Sequence, residues 1–221
     1  IERRKEKRVP SPRPLGPYFG FPRTSERLRY SEVFRAMASL ASRAALLRLW
    51  FGGDAARWWR TDAAFDASLQ PFLALTSALV AGAPPPAEPE LSPDEAALAE
   101  VLACDQVPRN CHRGSARAYE GDAAALRIAR AAVAAGALQR LPLEPQRLFL
   151  LMPYMHAEEP AAHDEAASLW PAGFATGFAK DHAAVVKRFG RFPHRNTLLG
   201  RASTPEEEAH LASAERKSWE S

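Results

Sequence analysis

The sequence predicts an all-α fold, an antiparallel array of helices, and two features of its composition lead to this prediction. Alanine is abundant and β-branched residues are sparse, which favours helices over strands. Proline and glycine fall between the apolar runs rather than inside them, as short links between roughly seven or eight helices would require. No strict repeat of about 34 residues is visible. With 221 residues, the chain is long enough for one domain with a sizeable core and a tail.

The first 36 residues differ in composition from the rest of the chain. Residues 1–35 contain ten Lys and Arg against four Asp and Glu, and five prolines fall within the first 22 residues. Because residues 1–36 lack a helical period, we expect a flexible, basic, Pro-rich extension, of targeting or non-native origin, before a single domain at 37–221. The remaining 186 residues carry 19 basic and 22 acidic side chains, so the excess of basic charge belongs to the extension. We therefore expect no nucleic-acid partner for the domain.

Localisation depends on how residues 37–51, MASLASRAALLRLWF, are interpreted. They are amphipathic, Arg-bearing and free of acidic residues, as organelle presequences are. They also make a good first helix of the domain, ending at Gly52 and Gly53, and we favour this interpretation. Because Arg or Asp interrupts every candidate run of about 18 apolar residues, we expect no membrane partner. Cys104 and Cys111 are too few for a disulfide framework, which fits a cytoplasmic location.

Turn, linker and capping residues predict the next elements in chain order. A Trp-rich turn, which we expect to pack in the core, leads into the apolar stretch Phe65–Val80. A Pro-rich linker follows at 83–93. The serine and glutamate around Pro93 have the spacing of a capping box, which predicts a helix from Pro93 to about Cys104 or Asp105.

The second half of the chain predicts five further helices. They span Asp122–Ala135, about Glu144–Glu159, about Ala161–Trp170, Phe174–Phe189 and a stretch that begins at Pro205. Gly136 is a good C-cap for the first of them, and Pro153 predicts a kink in the second. Thr204 and Glu207 repeat the capping-box spacing before the last helix.

Three segments concentrate the polar side chains. They are DQVPRNCHRG at 105–114, FLLMPYMHAEEPAAHDEA at 149–166 and KRFGRFPHRNTLLGR at 187–201. The first and third share an Arg-Asn pair that follows a proline just after a predicted helix end. The last carbonyls of a helix lack partners, and Arg and Asn side chains are able to donate to them. The basic third segment is therefore expected to supply donors to helix ends and to carboxylates of the other two.

The motifs in these three segments, taken in chain order, resemble those of the DUF924 family of uncharacterised, mostly bacterial proteins. The resemblance rests on Asp-Gln-x-Pro-Arg-Asn with a following Arg-Gly, on an apolar helix ending in Pro-x-Met-His-x-Glu, and on Arg-Phe-Gly-Arg-Phe-Pro-His-Arg-Asn with a Leu-Gly-Arg close. It extends from about Leu46 to about Leu211 and leaves residues 1–36 outside. It implies an all-helical, tetratricopeptide-like, right-handed array, and it implies no activity.

The sequence leaves two interpretations of the polar segments open. In the structural one, Arg and Asn side chains cap helix ends and pair with carboxylates such as Asp105, Glu158 or Asp181. In the functional one, they converge with histidines in a groove that binds an anionic small molecule or a peptide. The candidate ligand-binding residues are Asp105, Arg109, Asn110, Arg113, His156, Arg191, His194, Arg195 and Asn196.

We therefore expect a helical binding or scaffold protein, and a hydrolase-type enzyme is the alternative. In the alternative, the catalytic candidates are His156 as a general base and an acidic partner, Glu158 or Asp105. No Ser or Cys lies in a recognisable nucleophile motif. We expect no cofactor, and no metal either, because Pro160 interrupts the helix between His156 and His163.

Overall fold

A computed structural model of the protein describes residues 41–170, 176–213, 216–217 and 219. These residues form helices and no strand, which confirms the all-α prediction for this part of the chain. The α-helices are α1 Arg43–Phe51, α2 Ala63–Leu69, α3 Leu73–Val80, α4 Pro93–Val101, α5 Val107–Cys111, α6 Asp122–Ala134, α7 Ala137–Arg140, α8 Glu144–His156, α9 Pro160–Ala166, α10 Thr176–Phe189 and α11 Pro205–Ala212. Short 3₁₀ turns lie at Ala55–Trp59, Gln70–Phe72, Ala116–Tyr119 and Pro193–Arg195, and a π turn at Leu102–Gln106 links α4 to α5.

The main core lies between α1, α4, α6, α8 and α9. Helix α4 packs against both α1 and α6, α6 packs against α8, and α8 packs against α9. Trp50 of α1 is fully buried, and its ring meets that of Phe149 of α8 edge to face, with centroids 5.2 Å apart. Burial of a Trp removes on the order of 150–250 Å² from water, so this pair anchors α1 to α8.

A second, smaller apolar cluster joins α10 to the segment that follows it. Its buried members are Val185, Val186 and Phe192, and the partly buried rings of Phe189 and Trp219 pack against them. This cluster lies beside the third polar segment and holds α10 in place there.

Two predicted helix starts and one predicted helix end are confirmed by their capping residues. The Ser92 hydroxyl accepts from the Glu95 N–H at 3.3 Å, and the Glu95 carboxylate accepts from the Ser92 N–H at 2.9 Å. Thr204 and Glu207 form the same reciprocal pair before α11. Gly136 follows α6 with a φ of 84°, a left-handed conformation that glycine adopts without a steric penalty.

Two predicted helices end earlier in the structure. The helix predicted through Glu159 ends at His156, because the chain is extended at Ala157 and again at Glu159, the residue before Pro160. A proline ring disfavours α conformation in the residue that precedes it. The next helix begins at Pro160 itself and ends at Ala166. The start predicted for α10 at 174 and the extension at 1–36 lie outside the described residues.

One described stretch, Ala63–Val80, is long and apolar enough to cross a membrane by length and composition, with a mean hydropathy of 1.3. The sequence criterion missed it because Asp66 interrupts the apolar run. Core helices of soluble proteins meet the same test, and this stretch contributes to the core. Its buried side chains are Phe65, Leu69, Phe72, Thr76 and Leu79.

Gly121, just before α6, packs directly against the π turn. A Cβ at position 121 would lie 2.1 Å from the carbonyl oxygen of Cys104 and 2.9 Å from its Cα. In a regular helix the Cys104 carbonyl would accept from the N–H of residue 108, but Pro108 has no N–H and leaves that carbonyl open to α6. The close approach of α6 to the π turn therefore requires glycine at this position.

Replacing Gly121 with alanine is expected to destabilise the fold by about 1–3 kcal/mol, because backbone must move to admit the methyl group. Urea denaturation should show a lower midpoint for Gly121→Ala. The control is Gly177→Ala in α10, where an added Cβ meets nothing within 4 Å. That change should be neutral or stabilising, since alanine favours a helix. An unchanged midpoint for Gly121→Ala would contradict the tight contact with Cys104.

Candidate functional site

The site is built around Asp105, which the π turn at Leu102–Gln106 carries into the interior. A π turn disturbs the regular helical hydrogen bonds, and side chains here take up three of the nearby carbonyls. Thr76, Arg109 and Asn110 donate to the carbonyls of Ala103, Asp105 and Gln106, at 2.6, 2.7 and 2.8 Å respectively. Isolated π turns inside α-helices are frequent at functional sites. The Arg-Asn pair of the first polar segment therefore stabilises the turn that positions Asp105.

The Asp105 carboxylate pairs with the imidazole of His156 at the end of α8. Nδ1 of His156 lies 2.8 and 3.0 Å from the two carboxylate oxygens. Arg109 approaches one of these oxygens to 3.1 Å, and Gln106 donates to the other at 2.6 Å. The carboxylate is 0% exposed, so these partners replace its lost hydration. Nε2 of His156 has no hydrogen bond to the described residues.

Burial and charge fix the ionisation of this pair. Burial by itself would raise the pKa of Asp105, but Arg109 and His156 hold that pKa well below its usual range. Burial lowers the pKa of His156, and Arg109 lowers it further, while Asp105 opposes both effects. At neutral pH the pair is therefore a carboxylate and a neutral imidazole. Since Asp105 accepts from Nδ1–H, the basic lone pair of the ring is on Nε2.

Arg109 also connects this pair to the third polar segment through Asp122. It donates to the two Asp122 oxygens at 2.7 and 2.9 Å, and Arg195 donates to one of them at 3.1 Å. The Arg195 guanidinium lies between the rings of Tyr119 and Phe192, 4.5 and 4.4 Å from their centroids. Two carboxylates and two guanidinium groups thus form one buried cluster whose formal charges cancel.

A cavity of about 610 Å³ opens beside His156. Of the predicted ligand-binding residues, Arg109, Asn110, Arg113 and His156 line it. The apolar part of the lining consists of Trp58, Trp59, Met152, Met155, Phe178 and Trp219. An apolar cavity of this size with a few polar groups is typical of small-molecule sites. No carboxylate belongs to the lining within the described part of the chain.

Two arginines of the lining retain unused donors. Arg113 binds the Asp66 carboxylate through Nε and Nη2, at 3.0 and 3.1 Å, and leaves Nη1 without a partner among the described residues. Arg60 makes no hydrogen bond within the same ranges, and its ion pairs with Asp54 and Asp62 are long, at 3.6 and 3.7 Å. Arg60 and Arg113 therefore have N–H groups beside the cavity that no described residue engages in a hydrogen bond.

A second histidine, His182 of α10, lines the same cavity, with its ring centroid 6.3 Å from that of His156. Its Nδ1 donates to the Phe178 carbonyl at 2.7 Å, and the Trp219 ring stacks on it with centroids 3.6 Å apart. Burial, and then the neighbouring His156, lowers the pKa of His182 to about 3. His182 is thus neutral at physiological pH, with Nε2 as an acceptor.

Five predicted ligand-binding residues do not line the cavity: Asp105, which pairs with His156, and the four residues of the third polar segment, Arg191, His194, Arg195 and Asn196. Arg191 instead donates to Glu207 at 2.6 and 2.8 Å, and Asn196 donates to the same carboxylate at 3.3 Å. These contacts tie the third polar segment to α11. Their geometry matches the structural interpretation of this segment, in which its donors pair with carboxylates.

Glu158, the other acidic candidate, is not the partner of His156 and instead accepts hydrogen bonds from the third polar segment. It accepts from Arg201 at 2.5 and 2.9 Å and from the Phe192 N–H at 2.8 Å. Since α8 ends at His156 and the chain is extended at Ala157, Glu158 no longer follows the helical face that bears the imidazole. Asp105 is therefore the acidic partner of His156.

Sequence reasoning missed most of the apolar lining. Trp58 was expected in the core, and its ring does pack 5.1 Å from that of Phe149, but it also borders the cavity. The spacing of Met152 and His156, four residues apart on one helix, was a usable signal because such residues share a face. No local signal points to His182 or Trp219, which reach the cavity through long-range packing.

The described residues contain no group of three or more His, Cys, Asp and Glu side chains arranged to hold a metal ion. Burial raises the pKa of the Cys104 thiol to about 12 and that of the Cys111 thiol to about 11. Both thiols are therefore protonated at neutral pH and are poor nucleophiles.

The described residues thus form an all-helical domain with a buried aspartate–histidine pair beside a largely apolar cavity. The chain belongs to the DUF924 family, described as bacterial protein of unknown function, which matches residues 46–215. This confirms the family that the motifs indicated. No curated protein matches the chain.

A solved structure supports the same fold. The protein of unknown function from Agrobacterium tumefaciens is 34% identical to this chain, and the TM-score of the two structures is 0.66. The similarity covers 77% of this chain and 96% of that one. The two proteins therefore share the helical domain along most of its length.

The proton position on His156 is open to direct measurement. We expect ¹⁵N NMR near neutral pH to show a neutral ring protonated on Nδ1, because Asp105 is the acceptor. Asp105→Asn should lower the pKa of His156 further, since it removes the charge that favours the imidazolium. Asp164→Asn, which alters an exposed carboxylate paired with Lys187, is the control. A ring protonated on Nε2 would contradict this assignment.

Glu207 should make stability depend on pH. The hydrogen bonds from Arg191, followed by the one from the Thr204 N–H, lower the pKa of Glu207 to about 2. Because the folded pKa lies below that of an exposed Glu, the contribution is complete above about pH 5 and is lost as pH falls towards 2. We expect Glu207→Gln to reduce the free energy of unfolding at neutral pH by about 2–3 kcal/mol.

Urea denaturation of Glu207→Gln between about pH 6 and pH 3 should accordingly show a flatter dependence than the parent protein. The matched control is Glu208→Gln, which alters an exposed carboxylate in the same helical turn and should keep the parent slope. Identical slopes for all three proteins would show that Glu207 does not carry this pH dependence.

Proposed function

We propose that this protein binds a small organic anion with an apolar body in the cavity beside His156. One observation carries the proposal: the cavity combines an apolar wall with arginine donors and has no carboxylate in its described lining. An apolar molecule without charge would leave those donors unused. A cation would meet Arg60, Arg109 and Arg113 with no compensating charge in the lining.

The two ends of such a ligand find different partners in the cavity. Met152 and Met155 offer flexible, polarisable side chains that adapt to an apolar body, and Phe178 adds an aromatic surface. Arg60 and Arg113 provide N–H groups for a carboxylate or phosphate head, and guanidinium groups suit such anions geometrically. The ligand is thus oriented, with its charged end towards the arginines.

The helical array serves this site as a scaffold. A tetratricopeptide-like arrangement, as expected from the motifs, would put the cavity on a concave face, between the π turn after α4 and the end of α8. A peptide with a free carboxylate has the same two-part chemistry as a small organic anion, and is the larger form of the proposed ligand. Neither a membrane nor a nucleic acid has a part in this proposal.

A second candidate function, hydrolysis with His156 as the base, is favoured by a separate observation. The buried Asp105–His156 pair leaves a basic Nε2 without a hydrogen bond among the described residues. Binding alone would not require that arrangement.

Thermal unfolding with 2-naphthoate tests the proposed binding, with uncharged 2-naphthamide as the comparison. We expect 2-naphthoate to raise Tm saturably, corresponding to about 1.4 kcal/mol at tenfold excess over Kd, because it binds the native state alone. 2-Naphthamide should give a smaller rise. Arg60→Gln together with Arg113→Gln should remove the difference between the two compounds.

Arg117→Gln is the matched control for the arginine variants, since Arg117 is an exposed arginine paired with Glu120 outside the cavity lining. Sodium chloride at equal ionic strength controls for screening. Equal shifts with acid and amide, or a full response in the Arg60 and Arg113 double variant, would overturn the proposal.

A further inference from the structure

We infer that the cavity is catalytic, with His156 as the general base that activates water for attack on an ester or amide carbonyl of the bound anion. Asp105 is the positioning residue that fixes the orientation of the imidazole. The inference rests on the anion binding proposed above and adds to it a reaction and a substrate class.

The first support is the arrangement of the Asp105–His156 pair. Both carboxylate oxygens lie within 3.0 Å of Nδ1, and Arg109 and Gln106 hold the carboxylate from the other sides. The orientation of the ring is therefore fixed, and its basic nitrogen, Nε2, has no hydrogen bond to the described residues. A carboxylate that orients an imidazole and stabilises its protonated form is the arrangement that general-base catalysis needs.

The second support is His182, which borders the same cavity. Both rings have Nδ1 committed as a donor, His156 to a carboxylate and His182 to a carbonyl, so both Nε2 atoms are acceptors. A centroid distance of 6.3 Å is compatible with one water that donates to both, since each hydrogen bond spans about 2.8 Å. Only His156 has a carboxylate to stabilise its protonated form. His182 therefore orients the water, and His156 takes its proton.

The lining favours water over a protein nucleophile. Among the described lining residues, Thr61 has the only aliphatic hydroxyl, and it has no hydrogen-bonded base in that part of the chain. No thiol lines the cavity, and Cys111 instead donates to the Asp66 carbonyl at 3.7 Å. A direct attack by water is the reaction that these side chains support.

The reaction balances with water as the only co-reactant. The water oxygen forms a bond to the carbonyl carbon as Nε2 of His156 removes one proton, and the carbonyl π electrons move to oxygen. Asn110, which lines the cavity, has one N–H beyond the one that it donates to the Gln106 carbonyl, and this second N–H is the donor available to that oxyanion. When the tetrahedral intermediate collapses, the bond to the leaving oxygen or nitrogen breaks, and His156 returns the proton to it. The products are a carboxylic acid and an alcohol or amine.

The substrate class follows from the two arginines with unused donors. A carboxylate held by Arg60 and Arg113 is separate from the carbonyl that is attacked, so the substrate bears both groups. Its apolar part contacts the aromatic and methionine wall. The class is therefore an apolar ester or amide that carries a free carboxylate.

The experiment uses mono-2-naphthyl adipate, which has this composition, and 2-naphthyl hexanoate, which lacks the carboxylate. Release of 2-naphthol is followed by fluorescence with the full chain. We expect the adipate to be cleaved with the higher kcat/KM. His156→Asn should lower kcat at least about 100-fold with little change in KM, as the loss of a general base does.

Further variants separate the roles. His112→Asn, which alters a histidine outside the cavity lining, should leave the rate unchanged and controls for reaction of esters with other histidines. Arg60→Gln should raise KM for the adipate alone. In His156→Ala, added imidazole should restore part of the rate, which a merely structural role would not permit. If His156→Asn unfolds, this imidazole rescue and His156→Gln still carry the test.

The possible outcomes distinguish failure of the catalytic inference from failure of the proposed anion binding. If 2-naphthoate raises Tm and the adipate competes with it, but 2-naphthol is released no faster than in buffer, binding stands and catalysis is overturned. If cleavage persists undiminished in His156→Asn, the general base is misassigned and the inference fails. If neither compound binds, the proposed function and the inference fall together.

Discussion

The structure of the site depends on one constraint, the need to keep the carboxylate of Asp105 ionised without any contact with solvent. A buried ion is tolerated only when charged and hydrogen-bonding groups surround it, and here Arg109, His156 and Gln106 do so. Each partner imposes a further requirement on the fold. His156 brings the end of α8 to the π turn, and Arg109 recruits Asp122 at the start of α6. Because Arg195 also binds Asp122, the third polar segment is joined to the same charge.

Features that depend on neighbouring residues could be predicted from the sequence, and those that depend on distant contacts could not. The helix starts after Ser92 and Thr204 were predictable because a capping box is complete within four residues. The three polar segments were recognised as a group, and the structure links them through Asp122 and Glu158. The choice of Asp105 over Glu158 as the partner of His156 was not predictable, because it depends on where α8 ends and on a π turn elsewhere. Likewise, nothing in the local sequence around Trp219 indicates that it stacks on His182.

The two histidines show how the partner of one nitrogen determines what the other nitrogen is able to do. In both rings, Nδ1 donates and Nε2 is left as an acceptor. His182 donates to a neutral carbonyl, so a proton on its Nε2 would produce a buried cation with little compensation, and burial accordingly lowers its pKa to about 3. His156 donates to a carboxylate, which favours its protonated form and partly offsets the effects of burial and of Arg109. Of the two, His156 is therefore the better proton acceptor.

The charge balance of the buried cluster links protonation of His156 to the occupancy of the cavity. Asp105 and Asp122 cancel the charges of Arg109 and Arg195, so a proton on His156 leaves the cluster with one positive charge in excess. The groups that interact with this proton are Asp105, Arg109, Asp122 and the neutral His182. An anion in the adjacent cavity, whether a ligand head group or a developing oxyanion, offsets that excess and raises the pKa of His156. By linkage, protonated His156 binds the anion more tightly than the neutral ring does, by the same free energy. In the proposed reaction, the same charge would stabilise an oxyanion while His156 holds the proton and would favour release of an anionic product once the proton has left.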